Sequence, residues 1–129
     1  MTNKVSIGKA GEEIAAYCLI AKGWKILARN YKRKSDELDI IAKSDDGTLV
    51  FCEVKSFIKK DPISTLPGLV PEDNLTSEKL RKISRTCEFF ARQHPELINE
   101  EKGWRIDLIA VDIGARGQKL DIRYYENIY

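Results

Sequence analysis

Residues 37–55 read ELDIIAKSDDGTLVFCEVK, and this stretch decides the fold because it predicts a β-hairpin. Two largely apolar runs flank Asp45-Asp46-Gly47, which fits a three-residue loop with its glycine in the left-handed region. Such a loop pairs Ser44 with Thr48. The predicted strands therefore cover residues 38–43 and 48–56 with a defined register.

This register sorts the side chains of the hairpin into two faces. One face is entirely apolar and is expected to lie on the core; it comprises Leu38, Ile40, Ala42, Val50, Cys52 and Val54. The outer half of the other face is charged, with Asp39 opposite Glu53 and Glu37 opposite Lys55. A slip of one residue would mix the two sets, so the sequence favours this pairing.

Hydrophobic periodicity predicts the remaining elements. A first helix is expected over residues 7–22, and a second from Thr76 or Ser77 to about Gln93. From residue 14 to residue 21 the first helix is apolar on nearly every side, which predicts that it is well buried. Further strands are expected at residues 24–28, 104–113 and 120–125, with a long surface loop at residues 57–75. The order αβββαββ predicts an α/β fold in which helices flank a central mixed β-sheet.

Length and composition bound the class of protein. A chain of 129 residues predicts a single domain over residues 1–129. With 43% hydrophobic and 33% charged residues, the composition excludes collagen-like and disordered classes. The apolar runs are too short to span a membrane, and the first residues lack a signal peptide, so we expect a cytoplasmic protein without a membrane partner. The net charge of +2 does not by itself indicate a nucleic-acid partner.

The charged half of the hairpin is the candidate site. Two carboxylates about 5 Å apart across a strand pair repel each other. A divalent cation such as Mg²⁺ or Mn²⁺ would remove that repulsion between Asp39 and Glu53, because both metals prefer hard oxygen ligands. Lys55 lies on the same side as Glu53, and Glu12, at the start of the first helix, could reach the same ion. The alternative is a solvated network of ion pairs in which Glu37 faces Lys55.

The residues of this site resemble a known nuclease signature. Asp39 followed by Glu53-Val54-Lys55 is similar to the PD-(D/E)xK motif of nucleases. The wider chain resembles the YraN-like family of small predicted endonucleases, which are similar to archaeal Holliday-junction resolvases. The matching positions run through the chain in order: Gly8-Lys9-Ala10-Gly11-Glu12, Ala15, Leu19, Gly23, Ile26-Leu27, Asn30, residues 37–42, residues 49–55, Lys79 and Arg105-Ile106-Asp107.

The resemblance implies a restriction-endonuclease-like core and a role for each site residue. Asp39 and Glu53 would bind Mg²⁺ together with the carbonyl of Val54, and Glu12 would complete the acidic site. Lys55 would help to activate the attacking water. The expected catalytic set is thus Glu12, Asp39, Glu53 and Lys55, with Lys79 of the second helix near them; the role of Arg105 and Asp107 stays open.

The function expected from these features is metal-dependent hydrolysis of phosphodiester bonds in DNA, with branched or structured DNA as one candidate substrate. The residues expected to contact nucleic acid are Lys32, Arg33, Lys34, Lys79 and Lys82. One alternative is a catalytically weak or inactive nucleic-acid-binding protein, because Phe57 and Ile58 stand where the family usually has an arginine. Another is an interaction module, and the sequence leaves a homodimer open.

Overall fold

The computed structural model describes residues 4–59 and 76–129 of the chain. Two α-helices, α1 (Lys4–Ala21) and α2 (Ser77–Gln93), pack against a sheet, and a short 3₁₀ helix (Pro95–Leu97) follows α2. The strands of the sheet are β1 (Lys25–Arg33), β2 (Asp36–Lys43), β3 (Leu49–Lys59), β4 (Trp104–Gly114) and β5 (Lys119–Tyr125). The order αβββαββ confirms the predicted α/β class.

The sheet is mixed, as predicted, with the spatial order β1-β2-β3-β4-β5. β3 and β4 run parallel, whereas the other neighbouring strands pair in antiparallel fashion. The connection between the parallel strands passes through α2. Each helix covers one face of the sheet, and we call these faces the α1 side and the α2 side. Apolar side chains form a buried cluster on each side.

The predicted hairpin between β2 and β3 is confirmed, with the predicted register from the turn to Ile40 and Cys52, whereas the predicted pairs of Asp39 with Glu53 and Glu37 with Lys55 lie beyond the ladder. Gly47 has a φ of 89°, and its backbone N–H donates to the Ser44 carbonyl at 3.0 Å. The Ser44 N–H in turn donates to the carbonyl of Thr48 at 2.9 Å. From this turn the pairing runs without a shift to Ile40 and Cys52.

Beyond Ile40 the predicted assignment of faces is wrong. Leu38 does not share the α1 side with Ile40; it packs in the cluster on the α2 side with Ile41. The alternation is reversed because Asp39 and Ile40 are consecutive residues on the α1 side. The neighbouring strand has a matching irregularity, since Asn30 of β1 has a φ of 52° and makes no ladder pair.

Two predicted strands are too short. β1 continues to Arg33 rather than ending at Ala28. β3 continues to Lys59, so Phe57 and Ile58 belong to a strand that pairs with β4 and not to the predicted surface loop. This extension is possible because β4 runs alongside β3 over its whole length. The rest of the predicted loop, residues 60–75, lies outside the described residues.

The prediction that α1 is well buried, made from its apolar residues on nearly every side, is also wrong. Tyr17 is 75% exposed and Ile20 is 59% exposed. Only one side of the helix, including Ala15 and Leu19, contacts the sheet. In the described parts of the chain, neither helix combines the length and the apolar character that a membrane crossing requires.

Candidate metal centre

The site lies where β2 separates from β3, and α1 crosses the sheet at this point. Gly11 brings the helix close to β3. A methyl group added to Gly11 would lie 1.8 Å from Ser56 Oγ and 3.0 Å from Ser56 Cβ, so the hydroxyl would have to rotate away and the contact would still be tight. The missing side chain therefore allows the close approach, which carries the next residue, Glu12, to the separated strands.

At this point, hydrogen bonds between a side chain and the backbone of the opposite strand link β2 and β3. The Val54 backbone N–H donates to Asp39 Oδ2 at 2.8 Å. The Asp39 backbone in turn makes a hydrogen bond with the carboxylate of Glu53, which lowers the pKa of Glu53. The carboxylates of Asp39 and Glu53 thus each form a hydrogen bond with the backbone of the opposite strand, beyond the end of the regular ladder.

Glu53 is a buried carboxylate with an incomplete set of partners. It is 7% exposed, and its Oε1 has no hydrogen-bond partner among the described residues. Burial, followed by the charge of Asp39, raises the pKa of Glu53 to about 8, although the charge of Lys55 lowers it. Glu53 also lies close enough to α2 for its charge to raise the pKa of the Cys87 thiol, after the larger effect of burial.

A second group of carboxylates meets on the α1 side. Glu12, Glu37 and Asp39 each place a carboxylate oxygen within 4.8 Å of the others. Burial and then the charge of Asp39 raise the pKa of Glu12 to about 7, and the two carboxyl groups share a hydrogen bond. The pKa of Asp39 is also raised, chiefly by burial, against the hydrogen bond from Val54 and the charge of Lys55.

Glu37 is the residue of this group that the sequence did not predict as a ligand. The hairpin register suggested that it would face Lys55, but it lies with Glu12 and Asp39. The sequence does contain a signal for this position. Residues two apart on a strand share a face, and Glu37 is two residues from Asp39.

Lys55 completes the set of charged side chains at the site. It is half-buried, and its ammonium group lowers the pKa of both Asp39 and Glu53, which places it near both. An open groove of about 920 Å³ runs past these groups. Glu12, Asp39, Val54 and Lys55 line it, together with Asn30 and other residues of α1 and β3.

The donors in this arrangement fit a divalent cation. They are carboxylate oxygens, which Mg²⁺ and Mn²⁺ prefer. The buried Oε1 of Glu53 is an acceptor that lacks a hydrogen-bond partner among the described residues. A cation would also offset the repulsion between Asp39 and its acidic neighbours. The site can therefore bind a metal ion held by oxygen atoms.

The basic residues predicted to contact nucleic acid lie on two elements. Lys32, Arg33 and Lys34 are at the end of β1 and the turn that follows, where Arg33 stacks on the Phe89 ring of α2 at 3.9 Å. Lys79 and Lys82 are exposed on the first half of α2. This cation–π contact ties the end of β1 to the second half of α2, about two helical turns from Lys82.

A mixed sheet whose hairpin opens around carboxylates and a lysine defines an α/β protein with a candidate divalent-cation centre. The sequence profile of the uncharacterised protein family UPF0102 matches residues 11–111. The chain belongs to this family. UPF0102 is the YraN family, so the resemblance described above is confirmed.

Relatives in the family match over nearly the whole chain. A UPF0102 protein of Caldicellulosiruptor saccharolyticus is 32% identical over 98% of this chain and 99% of its own length. A UPF0102 protein of Dictyoglomus turgidum is 30% identical over the full length of both chains, 129 residues. A third, from Roseiflexus castenholzii, is 31% identical over 94% of this chain and 90% of its own length.

One solved structure is more distantly similar. The structure of Pyrococcus furiosus SfsA in complex with Ca²⁺ aligns with a TM-score of 0.36 and 20% sequence identity. The alignment covers 92% of this chain and 62% of SfsA, so this chain spans less than two thirds of that protein. A TM-score of this size does not establish a common fold, and the match carries no argument about function.

Proposed function

We propose that this protein is a metal-dependent endonuclease that hydrolyses phosphodiester bonds of DNA, branched or structured DNA included. The observation that carries the proposal is the buried carboxylate of Glu53, which lies beside Asp39 with one oxygen unpartnered among the described residues. Burying an ionised carboxylate without a partner is unfavourable. A divalent cation at this position would supply the missing partner.

The ligands of the ion follow from the chemistry of the donors. Asp39 and Glu53 would provide carboxylate oxygens and Val54 its carbonyl, with Glu12 as a further carboxylate from α1. All are hard oxygen donors, which suits Mg²⁺ or Mn²⁺ as the cofactor. When bound, such an ion supplies positive charge to a phosphate and lowers the pKa of a neighbouring water.

Lys55 has a separate part in the proposed reaction. Its ammonium group lies near Asp39 and Glu53 and lines the open groove. A phosphodiester in that groove would place an oxygen within reach of this charge, which would stabilise the negative charge that develops during hydrolysis. Lys55 would also orient the attacking water towards the phosphorus atom.

DNA is the proposed partner because Lys9 and Lys55 line the groove beside its carboxylates, and further lysines are exposed at the end of β1, in the turn after it and on α2. The contacts would come from Lys32, Arg33, Lys34, Lys79 and Lys82. Such residues bind the phosphate backbone and contribute affinity without reading the base sequence. A preference for branched or structured DNA would then depend on the shape of the backbone.

The experiment that tests the proposal is cleavage of labelled DNAs: a linear duplex, a single strand, a flap and a four-way junction. Each is incubated with Mn²⁺, with Mg²⁺ or with chelator. The Glu53→Gln variant removes the charge of the carboxylate and keeps its size. The matched control is Glu100→Gln, which changes an exposed glutamate outside the site.

Cleavage that requires a metal, survives in Glu100→Gln and is lost in Glu53→Gln is the expected result. Binding of DNA without cleavage, at equal strength in Mn²⁺ and in chelator, would overturn it in favour of a catalytically inactive nucleic-acid-binding protein. Cleavage that Glu53→Gln retains would place the active site elsewhere.

A further inference from the structure

Asn30 has an unusual backbone conformation at the edge of the site. Its φ is 52°, in the left-handed region, which asparagine tolerates better than most other residues. Its neighbours Arg29 and Tyr31 pair with Ile40 and Leu38 of β2, but Asn30 makes no ladder pair. Asn30 thus interrupts the pairing of β1 with β2, at the position opposite Asp39.

The interruption changes the direction in which side chains of β1 project. Arg29 reaches the α1 side, where its guanidinium lies 2.8 Å from Glu13 Oε1. Tyr31 reaches the α2 side, where its ring contacts Phe90 with centroids 5.1 Å apart. Asn30, between them, also projects to the α1 side, because its amide contacts Glu12 there.

The amide of Asn30 joins two of the carboxylates at the site. In the orientation that satisfies its neighbours, Asn30 Nδ2 donates to Glu37 Oε1 at 2.9 Å and to Glu12 Oε1 at 3.1 Å. Glu12 belongs to α1 and Glu37 to β2, so one side chain of β1 links two separate elements. Carboxylates that repel each other separate unless a donor holds them.

We propose that Asn30 is a positioning residue of the cation site, whose amide holds Glu12 and Glu37 together so that both carboxylates bind the same divalent ion as Asp39. The inference rests on the proposed function, because it assumes that the site binds Mg²⁺ or Mn²⁺. It adds Glu37 as a ligand, and it assigns Asn30 to the hydrogen bonds around the ligands rather than to the ion itself. Such outer partners orient the ligands and so increase affinity for the metal.

The test measures Mn²⁺ binding by calorimetry for the wild type and for Asn30→Gly. Glycine adopts a positive φ without strain, so this variant removes the amide and keeps the backbone conformation. The matched control is Asn127→Gly, because Asn127 is also left-handed, with a φ of 53°, and lies near the C-terminus. Melting temperatures of all proteins are compared in chelator.

The expected result is that Asn30→Gly weakens Mn²⁺ binding about 10–100-fold. Its melting temperature in chelator should stay close to that of the wild type, and Asn127→Gly should bind Mn²⁺ normally. Equal Mn²⁺ affinity in the wild type and Asn30→Gly would overturn the inference while leaving the proposed function intact. A wild type that binds no Mn²⁺ would overturn both.

A double-mutant cycle tests whether Asn30 acts through Glu37. If it does, Glu37→Ala and Asn30→Gly should have coupled effects on Mn²⁺ affinity, because the hydrogen bond between Asn30 Nδ2 and Glu37 Oε1 is lost in both variants. Glu13→Ala is the control, since Glu13 lies outside the group of Glu12, Glu37 and Asp39 and binds Arg29. Additive effects for Asn30 and Glu37 would contradict the proposal.

A measurement on the wild type keeps the proposal testable if Asn30→Gly does not fold. The side-chain amide signals of Asn30 should shift in NMR spectra as Mg²⁺ is added, because both of its acceptors would become ligands. Those of Asn127 should not shift. Unchanged Asn30 signals at saturating Mg²⁺ would contradict the proposal.

Discussion

Asp39 accepts a hydrogen bond from the backbone of Val54, with 2.8 Å between Val54 N and Asp39 Oδ2. The regular pairing of β2 with β3 runs from the turn only as far as Ile40 and Cys52, so Asp39 is the first residue of β2 beyond it. The carboxylate therefore takes the place of a backbone carbonyl and keeps the two strands associated while they separate. The same separation gives the groove access to Asp39 and Lys55.

This contact predicts different outcomes for two substitutions of Asp39. Asp39→Asn keeps an oxygen that accepts from Val54, so its stability in chelator should stay close to that of the wild type. Asp39→Ala leaves a buried N–H without its acceptor and should cost about 1–3 kcal/mol. Urea denaturation in chelator measures both, and an equal loss in the two variants would contradict this role for Asp39.

The metal-free protein should become less stable as the pH rises from about 4.5 to about 8. The pKa of Glu53 is about 8 in the folded protein and near 4.5 in the unfolded chain, so across this window the folded state holds a proton that the unfolded state has lost. Stability contributed by that proton is present below pH 4.5 and is lost as the pH passes the folded pKa. The loss should be on the order of a few kcal/mol, since one pKa unit corresponds to about 1.4 kcal/mol.

Denaturation in chelator across this pH range measures the slope, and Glu53→Gln should make it shallower. Glu100→Gln, an exposed control, should leave it unchanged. Mn²⁺ should stabilise the wild type more at pH 8 than at pH 5, because protons compete for the ligands. A slope that Glu53→Gln leaves intact would assign the pH dependence to other groups.

The part of the hairpin near its turn could be predicted because its causes are local. Asp45-Asp46-Gly47 determines the turn, and alternation from Ile40 to Lys43 determines the faces. The reversal at Asp39 could not be predicted, because neither it nor the left-handed backbone of Asn30 opposite leaves a pattern in the residues around Asp39.

The candidate site was predicted in its chemistry but not in its arrangement. The carboxylates of Asp39 and Glu53 are visible in the hairpin pattern, whereas the meeting of Glu12 with Glu37 and Asp39 depends on the close approach of α1. The extension of β3 to Lys59 was missed for a related reason. That extension depends on parallel pairing with β4, which is distant in sequence and leaves no local pattern.

Gly11→Ala should destabilise the protein and weaken metal binding. The new methyl group would lie 1.8 Å from Ser56 Oγ and 3.0 Å from Ser56 Cβ, so the hydroxyl must rotate away and the tight contact that remains pushes α1, with Glu12, away from β3. Forcing extra atoms into a packed contact costs about 1–3 kcal/mol. Gly8→Ala is the matched control in the same helix, because nothing lies within 4 Å of its added carbon. It should stabilise by about 0.5–1 kcal/mol.

Thermal denaturation and Mn²⁺ calorimetry on the two variants check this expectation. Gly11→Ala combined with Ser56→Gly, which removes the obstructing side chain, should recover part of the lost stability and Mn²⁺ affinity. Equal behaviour of Gly11→Ala and Gly8→Ala would contradict a role for the close approach.

Asp107 should matter for stability and not for metal binding. It is completely buried and binds Arg105 Nε at 3.0 Å, the Tyr124 hydroxyl and the Asn127 backbone N–H at 2.9 Å. Asp107→Ala would leave these donors unpaired and should cost about 3–5 kcal/mol, as is usual when one partner of a buried ion pair is removed.

Chemical denaturation of Asp107→Ala measures that cost. Mn²⁺ calorimetry below the unfolding transition tests whether the folded variant keeps its affinity for the metal. Glu126→Gln is the mild control, because this exposed residue lies 3.7 Å from Arg105. A large loss of Mn²⁺ affinity in folded Asp107→Ala would show that the Arg105–Asp107 pair serves the site. The structure instead ties this pair to β5 and the C-terminal residues.

The basic residues should determine how strongly salt weakens DNA binding in chelator. Each phosphate that a lysine or arginine neutralises contributes about 0.9 to the slope of log K against log salt for duplex DNA. Replacing Lys32 and Lys82 by alanine should therefore lower the slope by up to about 1.8.

Lys102→Ala is the control, because Lys102 lies 4.0 Å from Asp46 at the turn of the hairpin, the end away from the separated strands. Fluorescence anisotropy at several salt concentrations gives the slopes. A Lys102→Ala slope reduced as much as that of the double variant would show a diffuse attraction by the whole surface rather than contacts at Lys32 and Lys82.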